Sequence, residues 1–510
     1  MSDTPIRVRF APSPTGGLHL GGVRTALYNY LFAKKHGGTF VLRIEDTDQT
    51  RFVEGAEEYI INCLQWCGIA PDEGPHNPGA FGPYRQSERK AIYKKYADEL
   101  VEKGLAYIAF DTPAELEAMR ESFKTEANPS PQYDHRSRIQ MKNSITLSDQ
   151  KVQELLEANT PYVIRIKMPD SMHITFRDMI RGEVTFHTDQ VDDKVLLKAD
   201  GMPTYHLAVV VDDHLMKITH AFRGEEWLPS APVHILLWEY LGWKNEMPQW
   251  AHLPLILKPD GKGKLSKRDG DRLGFPVFAM DWKDPRTGEE TKGFRERGFL
   301  PEAFVNMLAM LGWNDGSGEE IFDLKNLIEK FSIERVHKGG AKFDFEKAKW
   351  FNQEWIKKRS DESLIGSVKS VLAEDGIETD DTLLIKIIPL VKERCQLLSD
   401  FVLQTSYFFK DPTTLDLSSV LPKWDESKTN FFENWSKLIA SMNDTSAAGI
   451  EQTFKESATA SGIKPGELQL PFRIMLVGGK FGPPVFEIAA LIGIESTCRR
   501  IRFFLNAIKS

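Results

Sequence analysis

Residues 6–22 read IRVRFAPSPTGGLHLGG, and their pattern predicts how the first part of the chain folds. Residues 6–10 have the apolar pattern of a short strand, and a Pro- and Gly-rich loop follows them. Apolar side chains then recur at helical spacing from Val23 to Leu31. The alternation continues with a strand at 40–44 and helices near 55–66 and 88–103. It predicts an α/β fold with a parallel, doubly wound, Rossmann-like sheet.

The remaining chain divides into an interrupted α/β part and a helical part. Residues 106–198 carry short strands, polar loops and a helix near 149–159, which we interpret as an inserted α+β domain. The apolar run 204–211 predicts a buried strand where the sheet resumes. A helix near 230–241 and a strand near 253–257 should follow. From residue 301 onward the patterns predict an all-α half.

Composition excludes several classes of protein. The chain has 510 residues, 41% of them apolar and 27% charged, which favours several packed cores over disorder. A net charge of −8 excludes a polycation, so nucleic acid would have to bind local basic patches. Four cysteines are too few for a disulfide framework. Without an apolar run of about 20 residues, we expect a cytoplasmic protein that makes no membrane contact.

The loop that ends in Gly-Leu-His-Leu-Gly-Gly is the first candidate site. A helix should begin near His19, and the free N–H groups of a helix N-terminus suit a phosphate. Glycines at 21 and 22 allow a ligand to approach the backbone. The stretch lacks the spacing of a Walker loop and of the dinucleotide fingerprint. Taken alone, it could also be a Gly-rich turn with an exposed histidine.

The second candidate is Lys-Leu-Ser-Lys-Arg at residues 264–268. Three cations within five residues, in a glycine-bearing loop, could close over a polyphosphate and stabilise the charge on a leaving group. A solvated basic loop is the alternative if this stretch is taken alone.

Together the two loops resemble the paired signatures of the class I aminoacyl-tRNA synthetases. Other stretches resemble bacterial glutamyl-tRNA synthetases, and the resemblance spans almost the whole chain. These stretches are residues 9–16, 42–48, 82–87, 203–208, 211–214 and 223–228.

The resemblance implies a two-step reaction. Glutamate would attack the α-phosphate of Mg·ATP to give glutamyl-adenylate and pyrophosphate, and the terminal adenosine 2′-hydroxyl of tRNA(Glu) would then take the glutamyl group. The implied catalytic residues are His19, Lys264 and Lys267. The implied ATP-binding residues are Thr15, His19, Gly21, Glu226, Lys264, Ser266 and Lys267. The implied L-glutamate-binding residues are Arg9, Ser13, Glu45, Tyr205 and Arg223.

The resemblance also carries expectations about partners and domains. Arg394 should read an anticodon base, Mg²⁺ should arrive with ATP, and the protein should be a monomer. Zinc is not expected, because residues 106–138 contain no cysteine and one histidine. The stretch 274–293 looks long for the family and has no role that the sequence explains. The expected domains are the catalytic halves 1–105 and 204–258, an acceptor-stem-binding insertion 106–203, a lysine-loop and stem-contact domain 259–335, and an anticodon-binding region 336–510.

Three alternatives stay open at this point. One is a nucleotidyltransferase of the same superfamily with a small-molecule acceptor, although about 170 residues of C-terminal helices speak against it. Another is a non-discriminating enzyme that also charges tRNA(Gln). The third is a non-catalytic RNA-binding module, which would not need both loops and the arginine pocket.

Overall fold

The computed structural model describes residues 5–126 and 128–509, and the side chains of Lys267, Arg268 and Asp271 lie outside that description. The described chain divides into two compact units, Met1–Glu296 with Pro301–Phe345 and Arg297–Leu300 with Glu346–Ser510. None of the described helices combines the length and the apolar character that crossing a bilayer requires.

The strands are β1 Arg7–Phe10, β2 Thr39–Leu42, β3 Ala106–Ala109, β4 Val163–Ile166, β5 His173–Asp178, β6 Gly182–His187, β7 Val195–Leu197, β8 His220–Gly224, β9 Gln249–Leu253, β10 Ile256–Leu257, β11 Trp282–Lys283, β12 Glu290–Thr291 and β13 Ala341–Lys342. The first-unit helices are α1 Leu20–Lys35, α2 Ala56–Trp66, α3 Lys90–Glu102, α4 Pro113–Phe123, α5 Asp149–Glu157, α6 Tyr205–Leu215, α7 Ala231–Tyr240, α8 Lys267–Leu273, α9 Pro301–Met310 and α10 Leu324–Lys330. The later helices are α11 Phe345–Lys358, α12 Asp361–Glu374, α13 Asp381–Val391, α14 Asp400–Phe409, α15 Glu426–Ile439, α16 Ala447–Ala460, α17 Pro465–Val477 and α18 Val485–Ala507.

A six-stranded sheet forms the centre of the first unit, in the order β2-β1-β8-β9-β5-β6. The first four pairings are parallel, and β5 and β6 form an antiparallel hairpin at the edge. The chain enters through β1, α1 and β2, so the parallel pair β1–β2 is joined by a helical crossover. The predicted α/β half followed by a helical half is confirmed.

The segment between α3 and α6 contributes to two sheets. Strands β3, β4 and β7 form a separate antiparallel sheet. Strand β5 instead extends the main sheet, because Asp178 pairs with Trp250 of β9. The turn after β5 therefore lies beside the main parallel strands.

The strand predicted over residues 204–211 is wrong, because these residues begin α6. Seven consecutive residues, 207–213, are buried in this helix. A helix buried on all sides loses the amphipathic pattern, so its short apolar run reads like a buried strand. The strand that resumes the sheet is β8.

The second unit packs its helices around aromatic side chains. Trp435, Phe454 and Phe472 are fully buried or nearly so, and the ring centroids of Trp435 lie 5.0 Å from both of the others. This core gives the helical half a packed interior of its own.

Candidate active site

A cavity of about 1020 Å³ opens where the parallel strands end at their carboxyl termini. Strands β1 and β8 deliver Arg9 and Arg223 to its wall, and the residues after β2 deliver Glu45. Such an edge is the usual ligand site of a parallel sheet. The sequence-predicted residues that line it are Arg9, Ser13, Thr15, His19, Gly21, Glu45, Tyr205, Arg223, Glu226, Lys264 and Ser266. The side chain of Lys267 lies outside the described residues.

His19 is the N-cap of α1, and its imidazole is held in one tautomer. Its Nδ1 accepts a hydrogen bond from the backbone N–H of Gly21 at 3.1 Å. Burial, and then the nearby Lys264, lower the pKa of His19 to about 4, so the ring is neutral near pH 7. The remaining proton is therefore on Nε2, which is buried and has no hydrogen-bond partner among the described residues. The arrangement offers a neutral N–H donor at a helix N-terminus, which suits a phosphate oxygen.

The lysine loop is anchored at its centre. Leu265 is buried, and its N–H donates to the carbonyl of Ile256 at 2.8 Å. Ser266 closes the start of α8 through a capping box with Asp269. The Nζ of Lys264 meets Oε1 of Glu226 at 2.6 Å, and both side chains are partly exposed. Two residues predicted to bind ATP are thus paired with each other at the rim of the cavity.

Arg9 and Glu45 belong to a buried ion cluster that sequence reasoning had not assembled. Asp213 accepts from Nε of Arg9 at 3.1 Å and from Nη1 of Arg43 at 2.7 Å. Nη2 of Arg43 reaches Oε1 of Glu45 at 3.0 Å. Burial alone would raise the pKa of Asp213, but the two arginines bring it below its usual value. The charge of Arg9 is therefore partly compensated within the protein.

Arg223 has a different environment. Its guanidinium donates to His252, Tyr205 and His234 at 2.9, 2.9 and 3.1 Å, and all three partners are uncharged side chains. Its Nη2 is buried and makes no hydrogen bond within the described part of the chain. The ring of Tyr205 also packs against Trp227, with centroids 4.4 Å apart. Arg223 thus presents an uncompensated cation to the cavity.

Sequence reasoning missed the partners of these arginines. Asp213 belongs to an acidic pair inside an apolar run. A charged residue in a segment that is predicted to be buried indicates that it pairs with a residue of opposite charge. Arg43 stands two residues before Glu45 on the extension of β2. His234 and His252 give no local signal, because only the fold brings them to Arg223.

The stretch 274–293, which the sequence left without a role, packs against the His19 loop. It contains the hairpin β11–β12, and the carbonyl of Val277 accepts from the N–H of Leu20 at 2.8 Å. The hydroxyl of Tyr59 donates to the carbonyl of Met280 at 2.5 Å. The ring of Trp282 lies directly over Gly17. The stretch is therefore a supporting wall of the loop.

In the second unit, Arg394 is exposed in the short helical turn that follows α13. Residues 499–502, Arg-Arg-Ile-Arg, form a basic run near the C-terminus that is partly structural. Both Arg499 and Arg500 pair with Asp411, and Arg500 is buried. Arg394 stays a predicted anticodon contact.

The cavity lies at the carboxyl edge of a Rossmann-like sheet, and its wall carries the loop around His19 (the histidine loop) and the lysine loop at residues 264–268. The family match below shows that this is the site of a class I aminoacyl-tRNA synthetase. The family described as "tRNA synthetases class I (E and Q), catalytic domain" matches residues 5–350. The family described as "Anticodon binding domain" matches residues 349–505.

Relatives narrow this class. The chain is 51% identical to the glutamate–tRNA ligase of Amoebophilus asiaticus over 506 residues, which covers 99% of both chains. It is 49% identical to that of Phocaeicola vulgatus over 510 residues, which covers 100% of both. A crystal structure of a glutamate–tRNA ligase from Elizabethkingia meningosepticum, in complex with its amino acid, aligns with a TM-score of 0.94 at 48% identity and covers 99% of both chains. The chain belongs to the glutamate–tRNA ligase family, and the family predicted from the sequence is confirmed. Members of this family are ligases that use ATP as a substrate.

Proposed function

We propose that the cavity activates L-glutamate with ATP and transfers the glutamyl group to the 2′-hydroxyl of the terminal adenosine of tRNA(Glu). One observation carries this proposal. The histidine loop, the lysine loop and the uncompensated Arg223 line a single cavity at the carboxyl edge of the sheet.

In the first step, a carboxylate oxygen of glutamate forms a bond to the α-phosphorus of ATP, and the bond to pyrophosphate breaks. His19 donates its Nε2–H to a phosphate oxygen, and Gly21 lets the nucleotide approach the backbone. Lys264 leaves Glu226 and, together with Lys267, stabilises the charge on the departing pyrophosphate. Mg²⁺ would come as part of the substrate Mg·ATP, and when bound it would help to stabilise the charge on the phosphates. No protein nucleophile is required, so catalysis consists of positioning and charge stabilisation.

Glutamate is selected by charge. Arg223 pairs with the side-chain carboxylate of glutamate, and Glu45 binds the ammonium group. The pocket is completed by Arg9, Ser13 and Tyr205. Glutamine would leave the guanidinium of Arg223 without a countercharge in a buried site, which is costly. We expect a strong preference for glutamate.

In the second step, the 2′-oxygen of the terminal adenosine attacks the carbonyl carbon of glutamyl-adenylate, and AMP leaves. The helical region 336–510 binds the anticodon, with Arg394 at its third base. The insertion 106–203 lies between the catalytic halves 1–105 and 204–258 and binds the acceptor stem. The domain 259–335 carries the lysine loop and also contacts the stem. We further propose a cytoplasmic monomer that needs no zinc.

The test is aminoacylation of purified tRNA(Glu) and tRNA(Gln), side by side, with pyrophosphate exchange run with and without tRNA. Lys267→Ala should leave glutamate binding largely intact and reduce exchange severely. A near wild-type exchange rate in this variant, with tRNA present, would refute the role of the lysine loop. Efficient charging of tRNA(Gln) would favour the non-discriminating alternative, and Arg394→Gln should change the ratio of the two products.

A further inference from the structure

The guanidinium of Arg223 is held from behind by a hydrogen-bonded chain. Its Nε donates to Nε2 of His252 at 2.9 Å, and Nδ1 of His252 lies 2.6 Å from Oδ2 of Asp178. The side chains of His252 and Asp178 are fully buried. The three residues come from three adjacent strands, β8, β9 and β5. This hydrogen-bonded chain of side chains therefore runs across the sheet and ends at the cavity wall.

The contacts fix the tautomer of His252. An arginine Nε–H can only donate, so Nε2 of His252 must accept and its proton must lie on Nδ1. That proton is donated to the carboxylate of Asp178. Burial lowers the pKa of His252, and the ring is therefore neutral at pH 7. A flipped tautomer would bring two N–H groups face to face.

The carboxylate of Asp178 is itself fixed by the backbone. Its Oδ1 accepts from the N–H groups of Ile180 and Arg181 at 2.9 Å each, in the turn that follows β5. Its Oδ2 accepts from the backbone N–H of His252 at 3.1 Å. A carboxylate with this many donors cannot rotate without losing several hydrogen bonds. It therefore anchors the imidazole in position and in orientation.

We propose that His252 and Asp178 are positioning residues of the glutamate site, which hold the guanidinium of Arg223 at the cavity wall without neutralising its charge. The inference rests on the proposed role of Arg223 in glutamate binding. A carboxylate in direct contact with Arg223 would also orient it, but it would compensate the charge that distinguishes glutamate from glutamine. The neutral imidazole of His252 orients the guanidinium, and the negative charge of Asp178 stays on the far side of the imidazole ring from Arg223.

Two variants of His252 separate positioning from packing. His252→Gln offers an amide oxygen that can accept from Arg223, whereas His252→Leu fills similar space and accepts nothing. His252→Leu should raise the KM for glutamate by roughly tenfold to a hundredfold, the range that a charge-assisted hydrogen bond spans, with the KM for ATP within about twofold. His252→Gln should recover most of that loss. Equal effects of the two variants, or a wild-type KM in His252→Leu, would overturn the proposal.

A third variant changes Asp178, at the other end of the hydrogen-bonded series. In Asp178→Asn, the amide oxygen stays with the N–H groups of Ile180 and Arg181, so the amide nitrogen takes the place of Oδ2. It then loses the hydrogen bond from the backbone N–H of His252 and donates to Nδ1, which forces the other tautomer of the ring. We expect a similar rise in the KM for glutamate. If His252→Leu does not fold, a wild-type KM in Asp178→Asn would itself refute the proposal. His220→Gln is the matched control for loss of an imidazole on β8, since its ring contacts Phe32 and should leave both KM values unchanged.

Arg223→Ala distinguishes failure of this inference from failure of the proposed pocket. If Arg223→Ala keeps a wild-type KM for glutamate, the pocket assignment itself is wrong. If it raises that KM while the His252 and Asp178 variants do not, the pocket stands and the positioning chain fails. When both are right, His252→Leu adds little further loss in the Arg223→Ala background, because the two residues act through one contact.

Discussion

Replacing Gly17 by alanine tests whether the stretch 274–293 supports the histidine loop. A Cβ on Gly17 would lie 2.8 Å from Cγ of Trp282 and 3.1 Å from Cε1 of Phe278. Ordinary contact begins near 3.4 Å, so the loop or the hairpin must move by about 0.6 Å, the difference between 3.4 and 2.8 Å. The Trp282 ring cannot easily yield, because it is buried and packs edge-on against Tyr59.

The displacement has two expected costs. Overpacking of this kind lowers the free energy of unfolding by about 1–3 kcal/mol. Because Gly17 lies two residues before His19, the loop should also misplace the imidazole. A displacement of this order costs about 10- to 100-fold in rate where reacting groups must be aligned. We expect the adenylation rate to fall by that factor.

The assay is pyrophosphate exchange with glutamate, ATP and tRNA, together with thermal unfolding of the same samples. Gly339→Ala is the matched control, since a Cβ there meets no atom within 4 Å. Trp282→Ala alone removes a buried indole and should cost about 3–5 kcal/mol of stability. In that background Gly17→Ala should lose less rate than it does in the wild-type chain, because the contact with Cγ is gone, although contacts of 3.1 Å to Cβ of residue 282 and to Cε1 of Phe278 remain. An equal loss of rate in both backgrounds would show that the Trp282 ring does not act on the loop.

Two further predictions concern the buried charges. Asp213→Asn leaves Arg9 and Arg43 without their shared carboxylate, so it should lower the free energy of unfolding by about 3–5 kcal/mol and weaken glutamate binding. Chemical unfolding measures the first effect and glutamate titration the second. An unchanged free energy of unfolding would contradict the proposed ion cluster. Burial lowers the pKa of His206 and of His220 to about 4, so between about pH 6.5 and 4 the unfolded chain binds protons that the folded chain does not. The free energy of unfolding should therefore fall as the pH drops through that window. His220→Gln removes one of these histidines, so the slope of the free energy of unfolding against pH should decrease by the contribution of one bound proton. An identical slope in the variant would contradict this assignment.

The sequence predicted local features better than long-range ones. The loop around His19 and the lysine loop are short motifs whose chemistry depends on neighbouring residues, so both could be found by inspection. The first helix after the insertion was misread because α6 is buried on every side. Asp178 and His252 are 74 positions apart, and only the order of strands in the sheet brings them together. Contacts of that kind follow from topology and cannot be read from spacing.

The two arginines on the cavity wall differ in charge balance, and this difference separates their roles. Arg9 shares Asp213 with Arg43, so its charge is partly compensated within the protein and it can serve as a fixed hydrogen-bond donor. Arg223 touches only neutral acceptors among the described residues, so its charge is available to a ligand. A buried cation without a countercharge lowers the stability of the fold, because nothing offsets the desolvation of the guanidinium until an anion binds. A fold that keeps such a cation at the carboxyl edge of its sheet gains affinity for a carboxylate, and a neutral amide of the same shape cannot provide that stabilisation.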